Sequence, residues 1–292
     1  MKMKQTYASA QAFRRALEDR LATVAEKEGV DVQRLRRQVA FDRFLCRLFH
    51  APDAPWLLKG GYAMELRIRS PRTTRDIDLG IRKVSKGVWG TKQVLEALRE
   101  TVSRDLQDYF VFWVGEPMHD LNAAPYGGAR YPVEARMDGR TFAKFHVDVS
   151  AGDVMREPYE FLEGKNWLGF AGIGSCKFAT ISRKEQFAEK LHAYTLPRQS
   201  APNSRVRDLV DITLLVERGR LEPERLKPSI RNTFRRRKTH EPPKQLQPPP
   251  ESWTKPFAGL AAECDLEPDM TPHFESVVSF LTETGILQDR KA

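Results

Sequence analysis

The sequence predicts an α+β protein in two domains, strand-bearing in its first part and mainly helical in its last. Three patterns carry that reading. Apolar residues recur at helical spacing over residues 9–49. Between residues 56 and 149, short runs rich in β-branched and aromatic residues alternate with turns. From about residue 175 helical periodicity returns. A chain of 292 residues is long enough for a sizeable core and two domains. The division expected is 1–170 for the N-terminal helices and strand-rich domain, then 171–292 for the helical one.

Each element has its own signal. Ser9 can cap a first helix in which Phe13, Leu17, Leu21 and Val24 share a face, and Gly29 breaks it. A second helix, about 32–49, carries Leu35, Val39, Phe44, Leu45 and Leu48, and Pro52 and Pro55 follow. Trp56-Leu57-Leu58 reads as a strand, Tyr62 to Arg69 as a helix, and Asp76 to Leu79 as a second strand. Residues 91–107 read as helix and 109–114 as strand. After a turn-rich segment with Pro125, Gly127 and Gly128, the dipeptide Asp138-Gly139 between 131–137 and 141–149 predicts a hairpin. Ser182-Arg183-Lys184-Glu185 is a capping box opening a helix through Phe187, Leu191 and Tyr194. Pro197 to Pro202 reads as a loop. A further helix holds residues 208–212 and ends near Gly219; the last spans about 272–284. Residues 228–256, rich in proline and basic side chains, read as an extended linker or flexible arm. No internal repeat is found.

Composition bounds the function. With 40% hydrophobic and 30% charged residues the chain reads as globular and soluble. No apolar run approaches the roughly 18–20 residues that span a bilayer, which points away from a membrane. Met1-Lys2-Met3-Lys4 has no apolar stretch behind it, so no signal peptide is expected. Three widely spaced cysteines, Cys46, Cys176 and Cys264, suggest a reducing, cytoplasmic setting without disulfides. No Cys/His spacing suggests zinc. A net charge of +9 fits a polyanionic partner, of which nucleic acid is the commonest. The basic clusters Arg34/Arg36/Arg37, Arg67/Arg69/Arg72 and Arg235 to Lys238 are candidate RNA contacts, though any one of them can equally be a solvated face.

The chemistry concentrates at Lys59-Gly60-Gly61 and, fifteen positions beyond Gly61, at Asp76-Ile77-Asp78-Leu79. Residues two apart on a strand point to one face, so Asp76 and Asp78 lie side by side while Ile77 and Leu79 face the core. Two adjacent carboxylates repel unless a cation sits between them, and Mg²⁺ suits carboxylate and phosphate oxygens. Glycines before a helix let the backbone approach a phosphate at the helix N-terminus. In Phe145-His146-Val147-Asp148-Val149, Asp148 emerges on the polar face. If the two strands are neighbours, three carboxylates converge. His146 shares that face, but a structural role is favoured for it. Asp208 and Asp211 share one face of their helix.

Taken together, Leu58-Lys59-Gly60-Gly61-Tyr62-Ala63, Arg72-Thr73-Thr74-Arg75-Asp76-Ile77-Asp78-Leu79, Glu189-Lys190-Leu191-His192-Ala193-Tyr194 and Arg205-Val206-Arg207-Asp208-Leu209-Val210-Asp211 resemble the nucleotidyltransferase superfamily that includes DNA polymerase β. More narrowly, they resemble the AbiEii toxins of type IV toxin–antitoxin systems, to which the mycobacterial MenT proteins belong. The resemblance covers residues 56 to about 216. It implies a bilobed fold, with a mixed-sheet nucleotidyltransferase lobe followed by a helical lobe. It implies Mg²⁺-dependent transfer of a nucleoside monophosphate from an NTP to an acceptor, the tRNA 3′ end in characterised relatives, which blocks aminoacylation and growth. It also implies a cognate AbiEi/MenA-like antitoxin.

The site residues follow from the two readings combined. Asp76, Asp78 and Asp148 are the expected ligands of Mg²⁺, two ions in all, with Mn²⁺ as a substitute. Asp148 also assists deprotonation of the attacking hydroxyl. Lys59, Gly60, Gly61 and Tyr62 are expected at the phosphates, and Arg75 either joins them there or neutralises the two acids. By resemblance Lys190 reaches the triphosphate, and Asp208 and Asp211 orient it, bind the base or ribose, or cap a charge cluster with Arg205 and Arg207. One departure is plain: where the superfamily often has Gly-Ser this chain has Gly60-Gly61, so a hydroxyl contact is missing. Two other readings compete. The acceptor is a protein (AMPylation or UMPylation) or a small molecule, or the chain is a non-catalytic basic regulator that binds nucleic acid.

Overall fold

The structure, a computed structural model, describes residues 7–68, 71–82, 89–120 (119 and 120 by backbone alone), 127–152, 157–198 and 203–288. The N-terminal Met1–Lys4, Arg69, Pro125, and residues 199–202 of the expected loop lie outside the described residues. The chain forms two compact units. The first comprises 1–62, 75–152 and 161–180, and the second 63–74, 153–160 and 181–292.

In the first unit α1 (Ala10–Glu28) starts at Ser9, whose side chain accepts from the Ala12 N–H at 3.2 Å, and stops at Gly29 in the left-handed region. Phe13, Leu17 and Leu21 are its buried stripe, as the spacing predicts. Next along the chain are α2 (Val32–Leu48), β1 (Trp56–Lys59), α3 (Gly60–Arg67), β2 (Asp76–Ile81), α4 (Thr91–Val102), β3 (Val111–Val114), β4 (His119–Asp120), β5 (Gly128–Met137), β6 (Arg140–Ser150), β7 (Glu160–Glu163) and β8 (Lys177–Thr180). From Ala63 onward α3 belongs to the second unit.

The strands make one mixed sheet in the order β3-β5-β6-β2-β1-β8-β7, with β4 paired on β5. β1 runs antiparallel to β2 and parallel to β8, β2 runs parallel to β6, and β5 is antiparallel to both β3 and β6. The expected hairpin is present as β5 and β6, turning at Asp138 and Gly139, both with positive φ. α2 lies against the sheet, where Phe41 and Phe44 pack edge-on against Phe145 of β6. Behind them Arg43 and Arg47 clamp the buried carboxylate of Asp108 at 2.7 Å each.

Two expectations fail in this region. β8 is a strand where helix was expected to begin; Phe178 and Ala179 are buried, and the parallel pairing of Thr180 with Leu58 overrides local pattern. Cys46 of α2 and Cys176, just before β8, form a disulfide, 130 residues apart in sequence. Sequence separation hid a proximity that the packing of β8 near α2 creates. Cys264 is free and buried.

The second unit is helical: α5 (Arg183–Thr195), α6 (Val206–Arg218), α7 (Pro223–Arg237), α8 (Thr254–Glu263) and α9 (Met270–Glu283). The Ser182/Glu185 capping box opens α5. Leu209, Ile212 and Leu215 of α6 join Phe187, Leu191, Phe257 and Val277 in its core. Residues 228–256 are not a flexible arm. The first ten complete α7 despite Pro228, because Leu226, Ile230, Thr233 and Phe234 bury a helical face. Leu246, Trp253 and Phe257 then tie the following stretch to the core. Burying such side chains is worth about 1.5–3 kcal/mol each, comparable with the roughly 3 kcal/mol an interior proline costs.

Candidate active site

In the first unit the sheet register gathers the carboxylates. Asp78 is the parallel partner of Asp148, Asp76 that of His146, and Lys59 the antiparallel partner of Asp78. Paired residues share a face. Asp76, Asp78 and Asp148 therefore stand on one face of the sheet, while Ile77, Leu79, Val147 and Val149 are buried on the other. The carboxylates are only partly buried; the side chains of Asp76 and Asp148 keep 32% and 14% exposure.

The glycine turn lies against Asp78. Gly60 has φ +64, and a Cβ there would stand 1.9 Å from Asp78 Oδ2. Only glycine permits both that backbone conformation and that approach. The Gly61 N–H, at the start of α3, donates a long hydrogen bond to Asp78 Oδ2 at 3.4 Å. Lys59 is buried at the end of β1.

A residue that sequence reasoning missed completes this face. Arg130 of β5 donates from Nε and an η nitrogen to both oxygens of Asp148 at 2.8 Å, and reaches Asp76 Oδ2 at 3.5 Å. The bond to Asp148, with the charges of Asp76 and Asp78, pushes the guanidinium pKa up. His146 Nδ1 stands 3.2 Å from Asp76 Oδ1. The signal for Arg130 is concealed by a bulge. A regular ladder grown from the Met137–Arg140 pair would set Ala129 opposite Asp148. β6 takes one extra residue between the pairs Arg136–Thr141 and Ala135–Ala143, and this shift brings Arg130 there.

The second unit holds the other expected residues in a buried network. Lys190 of α5 lies 3.0 Å from Asp208 Oδ1 and 2.8 Å from Asp211 Oδ2. Arg72 grips both oxygens of Asp211 at 2.8 Å. Asp208 also faces Arg205 at 3.5 Å. Burial alone would lower the Lys190 pKa, but the charges of Asp208 and Asp211 outweigh it and raise it. Burial alone would raise the Asp211 carboxyl, and Lys190 and Arg72 hold it below the ordinary range. Lys190 is thus oriented by both acids, with Asp211 the more deeply buried.

Some expected contacts turn elsewhere. Tyr62 is buried, and its hydroxyl donates to Asp42 Oδ1 at 2.7 Å, so it faces the core rather than a phosphate. Its ring packs edge-on against Phe41, which fixes that direction. Arg67 binds Gln186, Glu160 and the Ile181 carbonyl, and Arg72 binds Asp211; both are internal counter-ions rather than RNA contacts. Arg75 is exposed and lines a cavity beside Asp76.

The donor set of the first unit, three carboxylates in neighbouring register positions, suits a hard divalent cation. The Arg130 guanidinium bridges two of them, Asp148 at 2.8 Å and Asp76 at 3.5 Å. Among the described residues no three acidic, His or Cys groups stand at the mutual spacing of a metal shell, so the three carboxylates would have to draw together to hold one.

The family profile described as nucleotidyl transferase AbiEii toxin, type IV TA system, matches residues 43–282. MenT4, a nucleotidyltransferase toxin of Mycobacterium tuberculosis, superposes with a TM-score of 0.58 at 17% identity, over 92% of this chain and 90% of that one. JHP933 of Helicobacter pylori gives a TM-score of 0.47 at 13% identity, over 88% of this chain and 92% of that one. A comparison with curated proteins returns no significant match.

Proposed function

The chain belongs to the AbiEii family of nucleotidyl transferase toxins of type IV toxin–antitoxin systems, and on that premise we propose that it moves a nucleoside monophosphate from an NTP to RNA, with the tRNA 3′ end as acceptor and pyrophosphate as the leaving group. The observation that carries the reading is the register pairing of Asp78 with Asp148, beside Asp76 and against the Gly60-Gly61 turn. Asp76, Asp78 and Asp148 would hold Mg²⁺ (two ions, with Mn²⁺ as a substitute), which supplies neutralising charge for a triphosphate and acidity for the acceptor hydroxyl.

The chain's own residues do the rest. Asp148 accepts the hydroxyl proton at a carboxylate oxygen once Arg130 has released it. Arg130 then has two ready fates, both electrostatic: a phosphate oxygen or solvent. Gly60 and Gly61 keep side chains away from the start of α3, so a phosphate can approach the backbone there. Lys190, aligned by Asp208 and Asp211, is a point charge for the triphosphate. Capping the tRNA end would stop aminoacylation and growth in the cytoplasm, and a cognate antitoxin would restrain it.

The net charge of +9 favours RNA over a small cationic acceptor or a protein. The test incubates the protein with bulk tRNA, Mg²⁺ and each α-labelled NTP. Ribonuclease-sensitive label that Asp78→Ala abolishes is the expected result. Label that follows protein or a small product would replace the acceptor, and RNA binding without transfer by any NTP would favour a regulator.

A further inference from the structure

The face that carries the carboxylates continues away from them as a trough. Sheet register lays it out in rows: Arg130, Asp148 and Asp78; then Pro132, His146 and Asp76; then Trp113, Glu134 and Lys144. A cavity of about 650 Å³ joins the last two rows and includes Asp76 and Arg130. From Asp148 to the outer row is about 13 Å along the strand, and from β6 to β3 about 10 Å across it.

The outer end has an unusual composition. Trp113 sits on β3, at the sheet edge, with 57% exposure. Its ring is held close to Gly115, where a Cβ would stand 2.8 Å from it. With Val111, two residues earlier on the same strand and 65% exposed, it makes an apolar edge open to solvent. The register partner of Trp113 is Glu134, and cations line the same cavity. Lys144 and Arg75 are exposed along the cavity, and Arg37 of α2 lines it with a buried Nε that has no hydrogen-bond partner among the described residues. An aromatic platform among cations is how proteins hold single-stranded nucleic acid.

We propose that this trough is the acceptor subsite: it takes the unpaired 3′ segment of an RNA, with a base stacked on Trp113 and phosphates on Lys144, Arg75 and Arg37, and it feeds the terminal hydroxyl to Asp76 and Asp148. The inference rests on the RNA-acceptor reading above and adds where the strand lies. It separates acceptor from donor, because the stacking platform lies two rows from the Gly60-Gly61 turn's partner Asp78.

The experiment uses the full chain and a fluorescein-labelled single-stranded RNA dodecamer, with a blunt duplex of the same sequence as comparison. Trp113→Ala is expected to weaken single-strand binding roughly 5- to 150-fold, the worth of one stacked base, and Trp113→Phe to restore most of it. Lys144→Ala should lower the slope of log affinity against log salt by about 0.7. Gly115→Ala, which displaces the ring without deleting it, should fall in between. In transfer assays Trp113→Ala should raise KM for RNA and leave KM for NTP unchanged. Unchanged single-strand binding by Trp113→Ala, equal losses on the duplex, or a KM change confined to NTP would overturn the subsite. Trp113-dependent binding of single strands without any labelling of RNA would keep the trough and sink the transfer reading instead.

Discussion

Arg130 holds Asp148 by two 2.8 Å hydrogen bonds and touches Asp76 at 3.5 Å, so a guanidinium occupies the point on which two of the three carboxylates converge. A divalent cation drawn to those oxygens must displace it. Arg130→Ala is therefore expected to tighten Mn²⁺ binding by about tenfold or more, since it removes a competing positive charge in a partly exposed site. Titration calorimetry of the NTP-free protein reads this directly. Weaker Mn²⁺ binding in the variant would mean that Arg130 shapes the site rather than competing for it.

Gly60→Ala places a methyl group on Asp78 at a left-handed backbone position. The conformation alone costs about 1–2 kcal/mol. A carboxylate moved by an ångström costs on the order of a hundredfold in rate. The expectation is a modest fall in Tm with a much larger fall in transfer. A variant with normal turnover would show that Asp78 is not used in this position.

Asp211→Ala leaves Lys190 and Arg72 buried without their shared counter-ion. Removing one partner of such a network costs about 3–5 kcal/mol. Since the Asp211 carboxyl is held below its ordinary range, this stability is present above the usual carboxylate range and is lost as pH falls. Urea unfolding at neutral and acid pH measures both effects, and the gap between wild type and variant should narrow in acid. A double-mutant cycle with Arg72→Met should show strong coupling.

Asp42 behaves in the opposite sense. Burial pushes its carboxyl up to about 7 from an ordinary 3.8, against the opposing hydrogen bonds from Tyr62 and the Lys165 N–H. The folded chain therefore keeps a proton that the unfolded chain has already released. The stability this provides is full below about pH 4 and is lost as pH rises to 7. Asp42→Asn should flatten the pH dependence of Tm across that window; an unaltered profile would reassign the titration.

The Cys46–Cys176 link closes a span of 130 residues. Under non-reducing denaturing conditions a thiol reagent should find one free cysteine, Cys264. In the native protein that thiol, buried and pushed up to about 12, should stay unreactive. Reduction should cost about 2–5 kcal/mol of stability. Three reactive thiols on unfolding without reductant would refute the link.

Local chemistry was enough for much of this architecture. Helical spacing and the Ser9 and Ser182 caps place α1 and α5, and strict alternation puts Asp76 and Asp78 on one face because a strand has a period of two. The Gly60-Gly61 turn is legible because few other residues tolerate that backbone. What needed the tertiary structure is each case in which a partner comes from far along the chain. The disulfide depends on β8 packing near α2, and α7 persists through Pro228 because its apolar face is buried. Arg72 reads as a surface cation until Asp211 is brought to it. The convergence of Asp148 on the Asp76–Asp78 pair was conditional in the sequence on two strands being neighbours, and the parallel pairing of β2 with β6 meets that condition. Arg130 was beyond sequence reasoning for a sharper reason. One extra residue in β6 decides whether Ala129 or Arg130 faces Asp148, and a bulge is set by how the hairpin seats its buried side chains on the core, not by its turn.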